Sequence, residues 1–196
     1  MSLIAKSSSG GGFKVCPEGT HLATCFAVVG IGLQDSPWGT KEKCFIGFEL
    51  PGERVGCEKD GELLNVPSAI WTGYTVSLAG NSNLRKDLES WRGKRFTPEE
   101  LDGFDLASLI GKACLLSVVH NTVNETTYAN VQSVAKVLKG TETPPPELPT
   151  IMYSCAAPAP DQWERVPEWL KTKVMNQAEP VEVQKEIPFI DDKPDF

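Results

Sequence analysis

The residues best suited to chemistry in this chain of 196 residues are aromatic rings set beside cations. Trp38, Lys41, Lys43 and Phe45 lie close together, Trp71 and Tyr74 follow, and Tyr128 stands in a later alternating stretch. Such rings stack on unpaired bases, which is worth ~1–3 kcal/mol per base and needs no sequence reading, while Lys and Arg neutralise phosphates. Ordinary core packing is the other reading open to each ring, because large apolar side chains usually sit inside.

The densest basic cluster is Arg85, Lys86, Arg92, Lys94 and Arg95, offset by Asp87 and Glu89. It reads as a phosphate contact. A solvated helix face, with Arg85 supported by Glu89 at i,i+4, reads equally well for Arg85 and Lys86. Arg92, Lys94 and Arg95 flank a glycine at a helix end, where cations also favour the dipole.

Catalysis is not expected. The only histidines are His21 and His120, and no phosphate loop, Ser-His-Asp set or carboxylate cluster with metal-ligand spacing is present. The six cysteines, Cys16, Cys25, Cys44, Cys57, Cys114 and Cys155, are spread singly and never form Cys-x-x-Cys. They read as free buried thiols in a reducing cytosol, so neither a metal nor another cofactor is implied.

A net charge of -7 opposes binding to phosphate, but the charge is uneven. Residues 1–140 carry a balance of -1 and residues 141–196 a balance of -6, so the body keeps the option of a basic face. No stretch approaches the ~20 apolar residues that cross a bilayer, and the N-terminus lacks a basic segment followed by a hydrophobic one. A soluble, unprocessed cytoplasmic protein is the expectation, with one core-bearing domain.

Those side chains need elements to position them. Ser7 to Gly12 read as part of a flexible lead-in, 1–12. Thr20–Ile31 reads as strand 1, with His21, Ala23, Cys25, Ala27 and Val29 on one face. Lys43–Leu50 reads as strand 2, with Cys44, Ile46, Phe48 and Leu50 opposite Lys43, Phe45 and Glu49. A loop is expected over 51–62, then strand 3 over Leu64–Leu78, with Pro67 marking an edge or bulge. Strand 3 offers Trp71 or Tyr74 to the binding face.

The period then turns helical. Ser82 or Asn83 caps a helix burying Leu84, Leu88 and Trp91, and Gly93 ends it. Thr97-Pro98-Glu99-Glu100 is a capping box, and Asp105 caps a further short helix. Ala113–His120 and Thr126–Val137 read as strands 4 and 5. Five strands with a helical insert between the third and fourth is the order of an OB-type barrel, which often binds oligonucleotides on its strand 2–3 face. The domain is expected over 13–140. Residues 141–177 read as a Pro-rich linker with a short helix at Pro167–Val174, and 178–196 as an acidic tail.

Two resemblances add to this. Glu186-Ile187-Pro188-Phe189-Ile190-Asp191-Asp192-Lys193-Pro194-Asp195-Phe196 resembles the tail tip of bacterial-type single-stranded DNA-binding proteins. In those, an apolar side chain enters a partner's pocket while carboxylates meet its basic rim, which implies partner contacts by Ile187, Pro188, Phe189, Asp191, Asp192 and Phe196. The terminus here is Pro-Asp-Phe, a departure from a terminal Pro-Phe pair. A solubilising tail is the alternative.

Pro17 to Ala23, Leu84 to Gly93 with Arg95-Phe96-Thr97, Gly103 to Leu106 and Leu109 to Lys112 resemble a family of phage-encoded proteins of replication and recombination. That resemblance implies an OB-fold single-stranded DNA-binding protein, acting in the host cytoplasm, and brings no residue-level site. Val166-Pro167-Glu168-Trp169-Leu170 is similar to part of the same pattern and is expected to form a short helix that packs back on the barrel. The expected partners are single-stranded DNA and, through the tail, replication or recombination proteins. The rival reading is an OB-type protein-interaction module that never touches DNA. Homo-oligomerisation stays open.

Overall fold

Strand pairing in this chain is set by alternation. The computed structural model describes residues 15–37, 39–59 and 62–178. Its strands are β1 (Gly19–Gln34), β2 (Lys41–Lys59), β3 (Glu62–Thr75), β4 (Ala113–Val123), β5 (Thr126–Ala135) and β6 (Ile151–Tyr153). The first five form an antiparallel sheet in the order β3-β2-β1-β4-β5, curled so that β3 and β5 touch across the opening of a half-barrel. Between β3 and β4 lie α1 (Asn83–Arg92), α2 (Pro98–Asp102) and a 3-10 turn, Leu106–Leu109. The last two helices are α3 (Pro160–Arg165) and α4 (Glu168–Met175).

The inner core follows from β2. Cys44, Ile46, Phe48 and Leu50 point into the barrel and are almost wholly buried. Leu84, Leu88 and Trp91 of α1 close it. Ser82 accepts the Arg85 N–H at the start of α1, and Gly93 at φ 66 ends it in the left-handed region that only glycine adopts freely. Thr97 and Glu100 complete the reciprocal capping box of α2. Asp105 accepts the Ala107 N–H at the turn that follows.

Three expectations are corrected. In β1 a bulge between Cys25 and Ala27 breaks the expected single face. Ala23, Cys25 and Val28 face inward, whereas Phe26, Ala27, Val29 and Ile31 face outward into a second cluster. The loop expected over 51–62 is largely strand: the ladder slips between Leu50 and Arg54, then resumes from Arg54 opposite Pro67 to Lys59 opposite Glu62. Pro67, which has no N–H to give, sits at the slip.

The third correction concerns the Pro-rich segment, which is not a free spacer. β6 pairs parallel with β1 at Ala27–Val29, and α4 buries Leu170 and Val174 against the outer face of β1. Glu49 of β2, fully buried, accepts the N–H groups of Glu147 (3.0 Å) and Leu148 (2.8 Å). The far end is held by the Ala178 N–H on the Leu33 carbonyl, at 2.8 Å. Residues 147–178 thus form a strap across the outside of the sheet. The packing of α4 agrees with the expected short helix that folds back on the barrel.

Candidate nucleic-acid interface

On the outer face of β2 and β3, two aromatic side chains each stand opposite a glycine. Phe45 pairs with Gly73, and Trp71 with Gly47. A Cβ at Gly73 would lie 3.0 Å from the Phe45 ring, and one at Gly47 the same distance from Trp71 and Phe26. Only glycine lets these rings lie down on the neighbouring strand, so the two pairs build a platform. Phe26 of β1 meets Trp71 edge-on at 5.3 Å across β2.

The strap adds a third ring. Trp169 of α4, 43 % exposed, stands at 90° to Phe45 and at 87° to Trp71, with centroids 5.1 and 5.9 Å away. Lys43, two residues before Phe45 on the same face, is half-buried beside Thr75. The arrangement offers apolar rings with a cation at their margin, which suits stacking of planar groups that carry negative charge.

The other expected residues go elsewhere. Tyr74 is three residues from Trp71 and therefore on the opposite face. It is buried in the inner core, donates to Asp87 Oδ2 at 2.8 Å, and has its phenol pushed up by burial, so it cannot stack on a base. Lys41 is exposed at the start of β2, on a polar cavity of about 330 Å³ shared with Thr75, Ser77 and Asn81. Tyr128 is 53 % exposed on the β4–β5 hairpin, outside both clusters. Trp38 and the tail residues Ile187, Pro188, Phe189, Asp191, Asp192 and Phe196 lie outside the described residues.

The basic cluster is divided: Lys86, Lys94 and Arg95 are exposed, whereas Arg85 and Arg92 are engaged with carboxylates. The Arg92 guanidinium bonds Glu100 and lies over the Phe96 and Phe104 rings, 4.4 and 5.3 Å from their centroids. Arg85 pairs with Glu89 at 3.0 Å. Lys94 is mostly exposed, its Nζ 3.3 Å from Glu100, and Arg95 is exposed. The Thr97 N–H and then the Arg92 guanidinium lower the Glu100 carboxyl to about 2. This cluster belongs to the helices that close the inner core, apart from the platform.

Sequence reasoning missed Phe26, Trp169 and the anchoring role of Glu49. Trp169 carried a signal: it is the exposed ring beside the Leu170–Val174 pair, whose i,i+4 spacing marks the buried face of α4. Among the described residues no three His, Cys, Asp or Glu side chains gather where they could hold a metal. Burial pushes the Cys25 and Cys44 thiols up to about 12, so neither is a ready nucleophile. No described helix is long and apolar enough to cross a membrane. No family model and no curated protein sequence matches this chain.

Proposed function

We propose that this is a non-enzymatic, OB-type single-stranded DNA-binding protein acting in phage-type replication or recombination. The observation that carries the reading is the platform: Phe45 and Trp71 laid on glycines of the neighbouring strand, with Lys43 beside them. OB barrels take up oligonucleotides on their strand 2–3 face, to which this platform would correspond. The OB reading is supported by the order β3-β2-β1-β4-β5, the contact of β3 with β5, and helices between β3 and β4. The phage-type setting rests on sequence resemblance alone.

Binding is passive in this account. Bases stack on the rings, cations neutralise phosphates, and counterion release makes affinity fall with salt. The acidic tail, through Ile187, Pro188, Phe189 and Phe196, recruits replication or recombination proteins.

Fluorescence anisotropy with labelled oligo-dT and a matching duplex, at low and moderate salt, tests this. Salt-sensitive binding to the single strand alone is the expected result. No binding by the full chain or by a chain lacking residues 179–196 would transfer the platform to a protein partner.

A further inference from the structure

Beside the platform the strap leaves a cavity of about 340 Å³ over β3, at the lower end of the ~300–1,000 Å³ that small-ligand sites occupy. It is lined by Phe26, Ala69 and Trp71 of the sheet and by Leu148, Pro149 and Pro167 of the strap. Arg165 stands at the rim, exposed, its Nη1 3.4 Å from the Thr150 carbonyl. Among the described residues Arg165 has no carboxylate at ion-pair distance, unlike Arg54, Arg85 and Arg92.

We propose that this cavity holds one unstacked nucleobase of the bound strand, with Arg165 on its phosphate. The chemistry selects that ligand on three counts. A lining that brings together indole, phenyl and two proline rings suits a flat apolar group, for which stacking is the main gain. The volume takes one base and its sugar, not a run of them. A guanidinium without a carboxylate partner gives phosphate oxygens a paired set of donors. The polar cavity at Lys41 and Asn81 has no such set of rings in its lining.

The pocket exists only while the strap is in place, because Pro149, Arg165 and Pro167 belong to it. The base is thereby clasped between barrel and strap, whereas a base on Phe45 is open to solvent on one side.

This rests on the single-strand reading, and the test separates the two. Oligo-dT carrying one 2-aminopurine is titrated with the full chain, reading anisotropy for binding and 2-aminopurine fluorescence for stacking. Ala69→Phe fills the pocket from an exposed position on β3, and Arg165→Ala removes the rim cation. Wild type should quench the 2-aminopurine several-fold. Ala69→Phe should restore most of that fluorescence while weakening binding about 5- to 30-fold, and Arg165→Ala should weaken it about 3- to 10-fold. Binding with the same quench in wild type and Ala69→Phe would overturn the pocket and leave the platform standing. Failure of wild type to bind the oligonucleotide would overturn both.

Discussion

The two faces of β1 are closed to different degrees. Inward it meets aliphatic side chains together with Phe48 and Trp91, and the core is sealed: Phe48, Leu116 and Leu50 are 0 % exposed. Outward, beside the aliphatic Ile151, Val166, Leu170 and Val174, the cluster is edged by Phe45, Trp71 and Trp163, all half-exposed. A sealed interior packs to high density and gives stability. An aromatic surface with open edges is poor core but a good recognition surface, because rings present area at low conformational cost. The bulge at Cys25/Ala27 separates the two roles within one strand.

The largest break in this comparison should come from the inner face. Leu116→Ala should cost ~2–5 kcal/mol in denaturant unfolding, through lost burial and the cavity left behind. It should remove binding only where it removes the fold.

Next comes the join between strap and sheet. Glu49→Ala leaves the part-buried N–H groups of Glu147 and Leu148 without their acceptor, at most ~1–3 kcal/mol each where water does not replace it. Opening the strap is the cheaper outcome, so hydrogen exchange at Leu170 and Val174 should rise while exchange at Leu116 holds. Equal protection in variant and wild type would show that Glu49 is not the anchor.

A smaller change sharpens the contrast between neighbouring rings. Trp71→Ala should weaken single-strand binding by about 5- to 150-fold, equivalent to ~1–3 kcal/mol of stacking, with less loss of stability than Leu116→Ala. Tyr74→Phe should leave binding unchanged and cost ~0.5–1.5 kcal/mol of stability, from the hydrogen bond to Asp87.

The smallest effect concerns pH. The Glu100 carboxyl is lowered in the folded protein, so its contribution to stability is present above the ordinary carboxylate range and is lost as pH falls from there towards about 2. Arg92 side-chain resonances followed by NMR should move in that window, and single-strand binding should not depend on it.

Much of the inner face was legible in the sequence, because a buried alternating strand and a capped helix each leave a strong local pattern. Cys44 to Leu50, the Ser82 cap and the Thr97 box are of that kind. The outer face was harder to read. Alternation tells that Trp71 and Tyr74 point opposite ways but not which of them points in; that depends on register, with Gly73 opposite Phe45 and Gly47 opposite Trp71. The β1 bulge shifts the phase without a proline or glycine at the step. The strap is non-local: Glu49 binds residues 98 and 99 positions away, a contact that no window of sequence contains.

Cross-linking tests the central claim most directly. A single strand substituted with 5-bromodeoxyuridine, irradiated with the full chain and mapped by mass spectrometry, should attach to peptides holding Phe45, Trp71 or Trp169. Attachment confined to Tyr128 or to the 85–95 basic segment would contradict the account and move the interface off the outer aromatic face.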